Sequence, residues 1–99
     1  MPVYAIAQIT ISDCDVYNRY QSRFMPVFNR YKGRVLAADE SPAVVEGKWA
    51  YQRVILLSFP DEPAFREWAS SPEYQEIAKV RQAASDAVIL LVKGLPASG

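Results

Sequence analysis

The sequence contains no histidine and one cysteine, Cys14. Without His there is no imidazole general base, and a single thiol can form neither an intrachain disulfide nor a zinc site of the usual Cys/His kind. There is also no excess of charge. Eleven Lys+Arg against eleven Asp+Glu leave a net charge of zero, which removes the field that a sequence-independent nucleic-acid binder depends on. The longest apolar run, Ala87 to Val92, falls far short of the roughly 20 residues that span a bilayer. Met1-Pro2-Val3-Tyr4 has neither the basic start nor the apolar core of a signal peptide. No Gly-rich phosphate loop, paired-carboxylate motif or nucleophile elbow is present. The expectation is a cytoplasmic protein without metal or cofactor that binds neither nucleic acid nor membrane, a lone thiol being at ease in a reducing compartment.

What is present suits one folded domain. The chain has 99 residues, 51% hydrophobic and 22% charged, close to the globular average and too short for two domains. A single unit over residues 1–94 is expected, followed by a flexible tail over residues 95–99.

Residues 3–11 alternate, with Val3, Ala5, Ala7, Ile9 and Ile11 on one face, and read as a strand. Ser12-Asp13-Cys14-Asp15 fits a helix start with Ser12 as the cap. Cys14, in that first turn, has no base near it in sequence and is incidental. Val16, Tyr17, Tyr20, Phe24, Val27, Phe28 and Tyr31 form one helical stripe that points to a long helix ending near Gly33, with Pro26 on its outward side. Arg34–Asp39 reads as a second strand, Ser41-Pro42 as a turn, and Val44–Glu46 as a short extended continuation before Gly47. Tyr51–Phe59 is a third strand. Asp61 then caps a helix that carries Phe65, Trp68 and Ala69 inward, and Ser71-Pro72 restarts it as cap and first helical position, running to Ala84. A last strand covers Ala87–Lys93.

This order is the split βαββαβ pattern of a ferredoxin-like α+β fold, an antiparallel sheet with helices on one face. Strand three carries Val54 and Leu56 on one side and Ile55, Leu57 and Phe59 on the other, and strand four is apolar on both. A sheet with one wet face would alternate. Helices cover only one face, so the other is expected to meet a second copy of the chain in a homodimer.

Three groups of residues could carry function. Arg81 falls in the middle of the apolar stripe Tyr74, Ile77, Val80 and Ala84. A guanidinium aimed at a core needs a carboxylate, carbonyls or an anionic ligand. A structural ion pair with Glu46 is one solution; contact with a bound anion is the other. Glu46-Gly47-Lys48-Trp49 with Arg53 forms the second group, an acid at a sharp turn beside an indole and a strand arginine. With no His, proton transfer would fall to Glu46, a Tyr or bound water. The plainer alternative pairs Glu46 with Arg53 or Arg81 and makes Trp49 a dimer anchor. The third group is aromatic: Tyr17, Tyr20 and Tyr31 share their stripe with Phe24 and Phe28, and Trp68 lies on the second helix. Such residues usually make core, but around a gap between helix and sheet they would line a small-molecule pocket.

Glu46-Gly47-x-Trp49-x-x-x-Arg53, the Phe59-Pro60 strand exit, Trp68, and Ser71-Pro72-Glu73-Tyr74-Gln75 followed by Arg81 together resemble the small bacterial family known as domain of unknown function 1330. The resemblance covers nearly the whole chain. It implies a ferredoxin-like protomer that pairs into a dimeric α/β-barrel, within a superfamily that includes cofactor-free monooxygenases, muconolactone-type isomerases and haem enzymes. Sites there typically lie in the cleft between sheet and helices of each protomer, and the usual haem ligand is missing from this chain. Two positions depart from the pattern: Lys32-Gly33 stands where the family often has Gly-Gly, and Ser58 where it often has an acid.

The leading expectation is a homodimer that binds a small anionic or carboxylate-bearing molecule, with Arg81 as anion contact, Glu46 as the acid/base group, and Trp49, Tyr74, Trp68 and Arg53 contributing to the site. An isomerase or cofactor-independent monooxygenase could use such a pocket. The rival is a non-catalytic structural or interaction dimer in which Glu46, Arg53 and Arg81 form a fixed buried network. A well-formed cleft beside Arg81 favours binding; a cleft filled by rings favours structure.

Overall fold

The computed structural model describes residues 1–95, so the expected tail lies, from Pro96 onward, outside the described residues. Seven elements follow one another as β1 (Val3–Ile11), α1 (Cys14–Phe28), β2 (Arg34–Asp39), β3 (Arg53–Phe59), α2 (Glu62–Ala69), α3 (Pro72–Ala84) and β4 (Ser85–Lys93). The four strands form one antiparallel sheet in the order β2-β3-β1-β4. This is the α+β, ferredoxin-like arrangement the sequence predicts.

β1 is the centre of the sheet, with Ala5 opposite both Leu57 and Leu91, and Ile9 opposite both Arg53 and Ala87. Its alternation settles the register, since a one-residue slip would turn Val3, Ala5 and Ile9 out of the core. These three residues are buried against the helices together with Leu57 and Phe59 of β3. Beneath the helices the core is aromatic. The Trp68 ring packs against Phe24, Phe28, Phe59, Phe65 and Tyr74, with centroids 4.1–6.1 Å apart.

Local details differ from the sequence reading in several places, among them β4, which begins at Ser85 rather than Ala87. Asp13, not Ser12, caps α1: its carboxylate accepts from the Val16 N–H at 3.2 Å. The Ser12 and Asp13 N–H groups both donate to the Ala84 carbonyl, at 2.8 and 3.1 Å, which ties the start of α1 to the end of α3. α1 also stops at Phe28, five residues before Gly33, and Arg30 and Tyr31 continue in i,i+3 turns that keep Tyr31 against the core. The stripe outlasts the helix because a three-residue step preserves the face. Finally, Val44–Glu46 joins no strand, and β3 begins at Arg53 rather than Tyr51. Gln52 satisfies that corner locally: its N–H donates to the Ile9 carbonyl at 2.9 Å and its side-chain oxygen accepts from the Ile11 N–H at 2.8 Å.

Among the described residues, no helix covers the outer face of the sheet. Val88, Leu90 and Val92 of β4 are exposed there, Leu36 is exposed on β2, and Ile6 and Leu56 lie between the edges. The 42–49 loop folds over part of this face, where Trp49 Nε1 donates to Gln8 Oε1 at 2.8 Å, and Val45 at its tip is 96% exposed. Among the described residues, no helix is long and apolar enough to cross a membrane.

At Gly33 the backbone lies directly on the core, because a Cβ there would collide with the Phe28 and Phe59 rings. Gly33→Ala should cost about 1–3 kcal/mol through overpacking, measured by urea denaturation. Gly47→Ala has open space around its Cβ and meets only the cost of a positive φ of 92°, so it should be the milder change. Equal destabilisation by the two would contradict this packing.

Candidate functional site

The site is built from the α2–α3 junction upward. Ser71 caps α3 by accepting from the Tyr74 N–H at 3.2 Å while its own hydroxyl donates to the Trp68 carbonyl at 2.8 Å. One side chain thus fixes the last turn of α2 against the first turn of α3. Trp68 and Tyr74 consequently face each other with centroids 4.1 Å apart. Two helical turns further on, Arg81 leaves the same buried face, with Ile77, Ala78 and Ala84 around it.

Between these helices, α1 and the sheet lies a cavity of about 190 Å³. Trp68, Tyr74, Tyr20 and Arg81 border it, the sheet side is lined by Ala5, Ala7 and Ile9, and the exposed amides of Gln75 and Gln82 stand at its rim. Its surface is mostly apolar with a few polar tips, the ordinary form of a small-ligand site. Tyr20 and Tyr74 face each other hydroxyl to hydroxyl at 3.3 Å. Burial pushes the Tyr20 phenol far above its ordinary value, and the adjoining Tyr74 hydroxyl adds to the effect, so Tyr20 stays a neutral hydrogen-bond group at any ordinary pH.

Arg81 is 8% exposed, and no carboxylate lies within ion-pair distance of it among the described residues. Its Nε is buried without a hydrogen-bond partner, as is the Trp68 Nε1. Its Cζ lies 5.8 Å from the Tyr20 ring centroid, a cation–π contact that offsets only part of the desolvation. Two buried N–H donors without partners therefore belong to residues that border the same cavity.

The residues singled out from sequence do not converge on one place. Arg81, Trp68 and Tyr74 meet at the inner cavity. Arg53 and Trp49 line a groove at the end of the sheet, and Glu46 lies on the outer face beside Val54 and Leu90. The sheet separates Glu46 from Arg81, so the expected Glu46–Arg81 pair does not form. Arg53 pairs instead with Glu40, at 3.0 Å. Glu40 was not among the sequence candidates, whereas Tyr20, proposed from the aromatic stripe as a pocket-lining residue, does border the inner cavity. Cys14 is exposed. Ser58 sits on the outer face opposite Tyr4 and Arg34, and Lys32 lies near it. Both departures from the family pattern therefore leave the inner cavity untouched.

Residues 2–95 match the family described as Domain of unknown function (DUF1330). The chain belongs to that family. Among solved structures, a protein of unknown function from Rhodopseudomonas palustris, RPA0582, superposes with a TM-score of 0.81 at 24% identity, covering 96% of this chain and 83% of that one. SnoaB, a cofactor-independent oxygenase from Streptomyces nogalater, gives 0.70 at 18% identity over 96% and 94% of the two chains. A dimeric ferredoxin-like protein of unknown function from Jannaschia sp. gives 0.71 at 12% identity over 95% and 100%. At these identities the likeness is one of fold. A comparison with curated proteins gives no match.

The unpaired Arg81 guanidinium should weaken the ligand-free DUF1330 fold. Arg81→Met, of similar volume and without charge, should raise the free energy of unfolding by about 1–4 kcal/mol, read from urea titrations without added ligand. A loss of stability would show that Arg81 is a structural tie.

Proposed function

We propose that this DUF1330 protein binds a small carboxylate with a compact apolar body, Arg81 taking the carboxylate and the Trp68–Tyr74 pair holding the body. The observation that carries this reading is a buried guanidinium at the wall of a cavity, with no carboxylate of its own among the described residues. A fixed Glu46–Arg53–Arg81 network is disfavoured because the sheet stands between Glu46 and Arg81 and Arg53 is held by Glu40. Size narrows the ligand. A cavity of about 150 Å³ admits benzene, so about 190 Å³ suits one six-membered ring or a branched chain of similar bulk. Benzoate is the simplest probe. Catalysis of the isomerase or monooxygenase type at this site would have to use the Tyr20 and Tyr74 hydroxyls, since Glu46 lies across the sheet.

The functional unit in this proposal is a homodimer. Val88, Leu90 and Val92 form an apolar face that water would otherwise wet, and proteins of the same fold from Jannaschia sp. and Thermobifida fusca are described as dimeric. A second copy of the sheet is the natural cover. A cytoplasmic setting belongs to the same proposal, supported by a lone and exposed thiol.

Benzoate should raise the melting temperature of the wild-type protein by several degrees at concentrations far above its Kd, and should lose this effect in Arg81→Met. Benzyl alcohol, with the same ring and no charge, should discriminate little between the two proteins. An equal rise with benzoate in both would remove the anion role. For the dimer, sedimentation at micromolar concentration should give twice the 11.1 kDa chain mass, and Leu90→Lys should give the monomer. A wild-type monomer would refute the pairing.

A further inference from the structure

The second arginine of the core has a different setting. Arg53 opens β3 opposite Ile9, which turns its side chain to the helix side of the sheet beneath α1. That side chain is 9% exposed, and its Nε is buried without a partner. The one carboxylate in ion-pair contact with it among the described residues is Glu40, itself 82% exposed at the end of β2. Beside the guanidinium stands the Tyr17 ring, its centroid 5.9 Å from Arg53 Cζ and its hydroxyl buried without a partner. Burial pushes the Tyr17 phenol upward and Arg53 opposes this, which places the hydroxyl within the field of the guanidinium.

These groups lie along a groove of about 630 Å³ at the end of the sheet. Trp49 and Tyr51 form one wall, their rings 5.8 Å apart at 50°, and Asn18 and Gln21 of α1 form the opposite one. No residue lines both this groove and the inner cavity, and the groove has about three times the volume. A surface carboxylate makes a poor permanent partner for a buried cation, because solvent screens it and holding its side chain costs entropy. It is, however, easily exchanged for another carboxylate.

We propose that this groove is a second binding site, separate from the inner cavity, for a planar aromatic carboxylate too large for that cavity. Arg53 is its anion contact, Trp49 and Tyr51 are its stacking wall, and Glu40 is the side chain that the ligand's carboxylate displaces. Ligand exchange at Arg53 uses all three features together: the buried guanidinium, the exposed acid and the aromatic wall.

The chain holds two tryptophans: Trp49 forms a wall of the groove with its N–H bonded to Gln8 at the outer-face side, and Trp68 borders the cavity. Their indole N–H resonances report the two sites separately in one spectrum of ¹⁵N-labelled protein. Titration with 2-naphthoate should move the Trp49 signal and leave that of Trp68 in place. Arg53→Gln should weaken half-saturation by about tenfold or more, the worth of a lost charge-assisted hydrogen bond. Glu40→Gln, a surface change that removes the competing acid, should tighten it by about threefold. Movement of Trp68 in place of Trp49, no movement at millimolar 2-naphthoate, or a Glu40→Gln titration no tighter than wild type would overturn the proposal. Should Arg53→Gln fail to fold, Glu40→Gln decides alone. Failure here leaves the benzoate reading at Arg81 intact, because that reading is tested by the loss of the benzoate effect on melting temperature in Arg81→Met.

Discussion

The structure depends on a mismatch of side-chain size across the gap between sheet and helices. At one end Trp68 and its neighbouring rings fill the gap, Phe24, Phe28 and Phe65 standing edge to face with the indole and Phe59 tilted by 30° against it. These rings are rigid and set how far the helices stand from the sheet. Beside Trp68, Phe24 and Phe65 the same separation also meets Ala5 and Ala7 of β1 and Ala69 and Ala78 of the helices, whose short side chains leave a space there. A close-packed interior rarely tolerates such a void without a cost. Here it lies beside Arg81, and a single ligand with an apolar body and a carboxylate would answer both the void and the charge.

The fold raises that cost and also localises it. Ser71 joins two helices through one hydroxyl, so Trp68 and Tyr74 cannot drift apart to fill the space. Ser12 and Asp13 bind the Ala84 carbonyl and hold α1 to α3, so the helices cannot close down on the sheet. Tyr20 and Tyr74 share one hydrogen bond, hydroxyl to hydroxyl, and neither phenol pairs with Arg81 through it. Rigidity around a poorly filled centre is what preorganised binding needs, because little ordering remains to be done when a ligand arrives.

Much of this was legible in the chain. The alternation of β1, the helical stripe of α1, the Asp61 and Ser71 caps and the apolar strands all followed from period and capping chemistry, and Arg81 stood out as a charge on an apolar stripe. The 42–49 segment was not legible. Its Glu46-Gly47-x-Trp49 motif looks like a neighbour of Arg53 and Arg81 because the residues are close in sequence, yet the loop crosses to the outer face, where Trp49 bonds Gln8. Nothing in local spacing says over which edge of a sheet a loop will fold. The Arg53–Glu40 pair was hidden for a related reason, since strand pairing between β2 and β3 brings the two together across thirteen residues. Cap assignment at Ser12 or Asp13 turned on the Ala84 carbonyl, a tertiary contact.

The central claim is that Arg81 is kept unpaired for an incoming carboxylate, and the most direct observation is of its own Nε–H. In a side-chain spectrum of ¹⁵N-labelled protein, saturating benzoate should shift this resonance downfield and slow its exchange with water, as a buried N–H that gains an acceptor must. A resonance that stays where it was, with its exchange unchanged, would mean that Arg81 does not meet the ligand.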